Sequence, residues 1–182
     1  MSGELLIRNC SPTLAGLKTG NMFSFPCPSD SMMREAVRDW NKKLTRKGIR
    51  MLPLRYNGKN ALIYIYRPAK LKNDLTDKTA RDILHGCGYC PGSPELCIVQ
   101  LIKRFAAGDE FPHEVGLFLG YPPEDVCGFI ENRAGCKCAG LWKVYGDVEA
   151  AERTFEKYKK CTRVYCEQYA KGSSVERLTV AG

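Results

Sequence analysis

Long apolar runs are missing from this sequence. Its most apolar stretches, Ala61 to Tyr66 and Val115 to Tyr121, fall far short of the ~20 residues needed to cross a hydrocarbon core. The opening Met1-Ser2-Gly3-Glu4 carries neither the basic region nor the apolar stretch of a secretory leader. A cytoplasmic protein with no membrane partner is therefore expected. Thiols stay reduced in that compartment, so ten cysteines point to metal, redox or packing roles more than to disulfides. No internal repeat is visible. With 44% of residues apolar and 26% charged among 182, disorder and low-complexity chains are excluded and one domain is the expected size class.

Acidic residues are scarce in the first part of the chain. Residues 1–72 hold 14 Lys and Arg against 4 Asp and Glu, whereas residues 73–182 hold 14 against 16. The basic excess peaks from Arg34 to Arg50, where seven cations face only Glu35 and Asp39. Such a patch attracts phosphate-bearing or acidic partners, including an acidic protein, although a solvated helix face has the same composition.

The apolar spacing organises the chain as α+β: a small, mainly antiparallel sheet packed by helices, in a single domain over residues 1–172 with a long C-terminal amphipathic helix and a mobile tail at 173–182. Leu5, Leu6 and Ile7 open a segment that Pro12 and Gly16 interrupt, and Asn21 to Phe25 reads as a strand. Asp30 or Ser31 caps a helix carrying Met33, Val37, Trp40 and Leu44, ended by Gly48. Ile49 to Tyr56 and Ala61 to Arg67 form a hairpin across Asn57-Gly58. Helices follow over Asp74 to His85 and Glu95 to Ala107, then two short ones within Phe111 to Ile130 joined at Gly120-Tyr121. Leu141 to Tyr145 reads as a strand, and Asp147 caps the long helix, which Gly172 stops.

Three constellations can carry chemistry. Cys87-x-x-Cys90, set among Gly86, Gly88 and Gly92, can reach one tetrahedral ion, and Cys136-x-Cys138 can complete a four-sulfur site for zinc or an iron–sulfur cluster. Free thiols that pack are the competing reading. The dipeptides Cys27-Pro28 and Cys90-Pro91 do not by themselves argue for haem, which also needs an apolar pocket. Cys10 with His113 makes a candidate nucleophile and base for a cysteine-dependent enzyme, provided that Cys10 lies at a helix start where its pKa falls. The helix pair from Val115 to Ile130 has the spacing of a helix-turn-helix. Its second helix opens on Pro122, Pro123, Glu124 and Asp125, and its first base is Arg133, so nucleic-acid binding is not favoured.

Two stretches, Cys10-Ser-Pro-Thr-Leu-Ala-Gly-Leu-Lys-Thr-Gly-Asn21 and Phe111-Pro-His-Glu-Val-Gly-Leu-Phe-Leu-Gly-Tyr-Pro-Pro-Glu-Asp-Val126 followed by Trp142-Lys-Val-Tyr145, resemble a bacterial family, domain of unknown function 3793. The resemblance covers nearly the whole chain. Cys10, Pro12, Lys18, Pro112, His113, Gly120 and Tyr121 match its pattern, and the Cys87, Cys90, Cys136 and Cys138 set lies outside it. It implies no particular activity. The leading expectation is a binding or accessory protein with a small anionic-ligand pocket, Lys18 supplying the cation and His113, Glu114 and Tyr121 the polar contacts. A thiolate-bound metal is an optional addition.

Overall fold

The computed structural model describes residues 1–108, 111–131 and 135–182. The chain is α+β, and its strands pair antiparallel in a three-stranded and a two-stranded sheet. It divides into two compact units: Met1–Ala69 with Tyr158–Gly182, and Lys70–Lys157.

The first unit begins with α1 (Gly3–Leu14), capped by the Ser2 hydroxyl, which accepts from the Leu5 amide at 3.2 Å. Leu6, Cys10 and Leu14 recur every four residues and, with Ile7, are buried, which explains why the helix forms. Pro12, expected to break this segment, sits in the last turn, where its missing donor removes only the bond to Arg8 and the helix runs on for two residues. The chain then enters β1 (Gly20–Pro26).

The strands β2 (Arg50–Tyr56) and β3 (Asn60–Tyr66) form the expected hairpin, with Gly58 at φ 83° and the Asn57 side chain accepting from the amides of Lys59 and Asn60. The sheet order is β1-β3-β2, with Gly20 and Arg50 both opposite Tyr66. The outer edge of β2 is closed twice. Asn41 donates to the Met51 carbonyl at 2.9 Å and accepts from its amide at 2.8 Å, and Pro53, two residues on, has no N–H to offer.

Asn41 belongs to α2 (Asp30–Leu44), whose cap is Ser29, accepting from Met32 at 3.2 Å, and not Asp30 or Ser31. Met33, Val37 and Leu44 from α2 join Leu6, Ile7, Leu14, Ile63 and Ile65 in the core. A single 3₁₀ turn, Thr45–Lys47, and Gly48 at φ 76° end the helix. Residues 173–182, expected as a tail, carry α9 (Val175–Leu178): Val175 is buried, and the Val180 amide donates to the Leu14 carbonyl at 3.0 Å.

The second unit is mostly helical. After α3 (Pro68–Asp74), α4 (Lys78–Gly86) is capped by Asp77, and α5 (Pro94–Ala107) is capped by Ser93 and stopped by Gly108 at φ 78°. The helix expected over Asp74 to His85 is thus α4, which starts later, where Asp77 turns its side chain to the Ala80 amide, and α3 precedes it. The short helices α6 (Val115–Phe118) and α7 (Pro123–Ile130) meet at Gly120, φ 77°. A Cβ on Gly116 would stand 2.7 Å from Val126 Cγ2, so only glycine lets α6 approach α7 this closely.

Leu141 to Tyr145 supplies a strand of two residues, β5 (Lys143–Val144), paired with β4 (Cys138–Ala139). It is short because the flanking Trp142 indole and Tyr145 amide donate to Asp125 instead of extending a ladder. The long helix α8 (Val148–Ala170) starts on Asp147, which accepts from Ala150. Ala151 and Phe155 pack in the second unit, and Tyr165, Cys166 and Tyr169 pack on the core of the first. Among the described residues no helix is long and apolar enough to cross a membrane.

Candidate functional site

The two sequence stretches of the second unit that carry the family resemblance fold onto one another and build a cleft of about 370 Å³. Two series of touching rings line it. Phe111, His113 and Phe129 follow one another with centroids 6.2 and 4.9 Å apart, and Tyr121 stacks on Trp142 at 4.7 Å. Trp142 in turn meets Phe155 edge-on at 4.5 Å. Val115, Gly116, Leu119 and Val126 from the α6–α7 pair complete the apolar lining. Polar atoms are few. Lys143 lies at the cleft with its ammonium 5.3 Å from the Phe129 ring centre, a cation–π distance.

Asp125 holds the cleft together. Its carboxylate is 3% exposed and accepts from the Trp142 indole at 2.7 Å and from the amides of Tyr145 and Gly146 at 2.7 and 2.8 Å. Three donors compensate the buried charge, and its place in the first turn of α7 adds the favourable end of the helix dipole. The result fixes the Trp142 ring in one orientation and leaves this carboxylate committed to the protein.

Glu114 is committed in a similar way. It is 3% exposed, accepts from the Tyr89 hydroxyl at 2.8 Å and pairs with the Arg104 guanidinium at 2.8 Å. Arg104 also donates to the Cys87 carbonyl at 2.9 Å. Burial and the adjacent carboxylate push the Tyr89 phenol well above its usual range. Glu114 therefore ties three segments of the second unit together and is absent from the cleft lining, unlike its neighbours His113 and Val115.

Of the anionic-pocket residues expected from sequence, His113 and Tyr121 line the cleft, and burial pushes the Tyr121 phenol up. Lys18 belongs to the first unit, where it is 8% exposed, its ammonium 5.9 Å from the Tyr158 ring centre, and where burial lowers its pKa to about 8. Cys10, beside it, is wholly buried in the third turn of α1. It is not at a helix start, and burial pushes its thiol far above the usual range, with Lys18 only partly opposing this. A reactive thiolate needs the reverse. Cys10, proposed from sequence as a nucleophile, is a packed thiol of the first unit, and His113 in the second unit meets the Phe129 ring edge-on.

The ten cysteines are free thiols. Cys90 is exposed, Cys87, Cys136 and Cys138 are half-buried, and burial raises the Cys87 thiol. Among the described residues no three or more His, Cys, Asp or Glu side chains gather as a metal site would require. The α6–α7 pair has the expected two-helix form but turns Val115, Leu119, Val126 and Phe129 to the cleft, and Arg133 lies outside the described residues.

Phe111, Asp125, Phe129, Trp142 and Lys143 were not singled out as site residues from sequence. The available signal was the pairing of the Phe111 to Val126 stretch with Trp142-Lys-Val-Tyr145, which the fold converts into direct hydrogen bonds through Asp125.

No curated protein and no solved structure matches the chain. A family model matches it over residues 6–179. The first-unit stretch Cys10 to Asn21 is tied internally by Thr13 donating to Asn21 at 2.7 Å, and the second-unit stretches build the cleft. Across nearly its whole length, the chain belongs to the family described as protein of unknown function (DUF3793).

Proposed function

We propose that this protein binds a small molecule in the aromatic cleft of its second unit, and that the ligand is compact, planar and apolar with one anionic group. The observation that carries the reading is the ring lining: two aromatic series around about 370 Å³, a volume within the ~300–1,000 Å³ range of small-molecule sites. A planar ligand gains stacking against such rings. The anionic group follows from the charges. The Asp125 carboxylate is taken up by its three donors, and among the described residues the Lys143 ammonium is the cation at the cleft. Lys143 takes the part expected of Lys18.

Trp142 forms part of the wall, so its emission reports occupancy. In a Trp40→Phe background, an aromatic carboxylate such as naphthoate is expected to change Trp142 fluorescence saturably, and the uncharged naphthalene methanol is expected to bind more weakly. Lys143→Ala is expected to erase that preference, roughly a two- to five-fold effect for an exposed charge pair. Phe129→Ala is expected to weaken both ligands about tenfold or more through lost ring contact. Absence of a saturable signal with every planar ligand, or a preference untouched by Lys143→Ala, would sink the reading.

A further inference from the structure

The basic helix α2 does not present a simple solvated face. Arg34, Arg38 and Lys42 of α2 and Arg46 of the 3₁₀ turn that follows it stand four residues apart, all exposed, and line one side of a groove of about 800 Å³. The other side is Leu52 and Pro53 of β2, with buried Val37 and Met51 between. The cationic row borders a shallow, open groove along a sheet edge.

We propose that this groove is a docking site for an extended acidic segment of a partner protein. Charge complementarity is the first argument. Arg34 and Lys42 pair with Asp30 and Asp39 on α2 itself, at 2.5 and 3.1 Å, and Arg38 reaches Glu35 only at 3.9 Å. Arg46 has no acidic partner among the described residues. These exposed pairs are weak, so incoming carboxylates compete on even terms.

Spacing is the second argument. Four helical residues rise about 6 Å, and alternate side chains of an extended strand are about 6.7 Å apart. A strand with an acidic residue at every second position therefore meets successive cations of the row. Recognition runs through side chains, because Asn41 already occupies the Met51 backbone and Pro53 offers no donor for a new ladder.

The same groove is poorly suited to single-stranded nucleic acid, since none of its lining residues is aromatic and base stacking has no platform. Trp40 is turned away, its indole donating to the Met1 carbonyl at 3.3 Å and its ring under Lys43.

The test is fluorescence anisotropy with a labelled peptide of alternating Glu and Ser, long enough to span the row. Two comparison probes are a peptide with the same glutamates in one block and a single-stranded oligonucleotide of equal charge. The alternating peptide is expected to bind best. Arg38→Gln with Arg46→Gln is expected to weaken it about tenfold, the product of two exposed pairs each worth a few-fold. Lys59→Gln, which removes one charge in the β2–β3 turn, is expected to leave it unchanged, with far-UV circular dichroism showing both variants folded. No binding of the alternating peptide, equal binding of the block peptide, tighter binding of the oligonucleotide, or equal loss in Lys59→Gln each overturns the proposal.

Discussion

The two units bury charge of opposite sign. The first buries cations, Lys18 and Arg67, at 8% and 4% exposure; the second buries anions, Glu114 and Asp125, each at 3%. Both use fixed polar groups as compensation. Arg67 donates to the carbonyls of Thr13, Leu14 and Val180 at 2.7, 2.8 and 2.7 Å. Thr13 and Leu14 end α1, so the guanidinium covers orphan carbonyls at the negative end of a helix dipole. Asp125 does the converse at the start of α7, collecting two backbone amides and an indole. The lesson is that a buried charge here serves as a backbone fastener. In the first unit the fastener holds the C-terminal segment to α1, and in the second it holds an aromatic wall in place.

Breaking the larger fastener should have the largest effect. Arg67→Met removes a donor from the carbonyls of Thr13, Leu14 and Val180, of which Thr13 and Leu14 keep the Gly16 and Val180 amides, and is expected to cost about 3 kcal/mol, read as a loss of urea midpoint and as rapid proteolysis within residues 173–182. Retained protease resistance would show that α9 is held by Val175 packing alone. Asp125→Asn is expected to cost about 2 kcal/mol, because the amide oxygen keeps the Tyr145 and Gly146 amides only by setting its NH2 group against the Trp142 indole N–H. Its signature is local: emission from Trp142 shifts while Trp40, in the first unit, stays unchanged. If both tryptophans respond equally, the two fasteners do not act on separate regions.

The smallest effect concerns Lys18. Burial lowers its pKa from 10.5 to about 8, so within that window the unfolded chain holds a proton that the folded chain has released. Stability then rises with pH, by at most about 1.4 kcal/mol per unit. Burial pushes the Cys10 thiol upward; above about pH 9, its ordinary value, the unfolded thiol ionises first and cancels the rise, and stability falls only above the ordinary lysine value of 10.5. The expected wild-type profile is a shallow rise from about pH 8 to 9. Lys18→Met is expected to flatten that rise, measured as urea midpoints across the window, and an unchanged slope would assign it to other groups.

The parts of the fold that local chemistry decides were readable in the residues. Asn57-Gly58 fixed the hairpin, and Asp147 and Gly172 framed α8, because turn and cap preferences act over a few residues. What escaped depended on distant partners. α1 looked broken at Pro12, yet Leu6, Cys10 and Leu14 form one apolar stripe once cysteine is counted as a small hydrophobe. Lys143-Val144 fell short of a longer strand because Asp125, from another element, takes the flanking donors. The same long-range bonds hid the cleft: His113 and Tyr121 were visible as candidates, but Trp142 and Phe129 become wall residues only after α7 and β5 meet. Glu114 misled for the opposite reason, since an acidic residue beside a candidate histidine gives no sign that Tyr89 and Arg104 will claim it.

The closed edge of β2 has a consequence for life at high concentration. A three-stranded sheet has two open margins through which identical molecules can zip together. On one margin Asn41 occupies the Met51 backbone like a single rung borrowed from a helix, and Pro53 leaves the next rung blank. The protein can therefore expose a cation-rich helix beside a strand without inviting its own copies to polymerise along it.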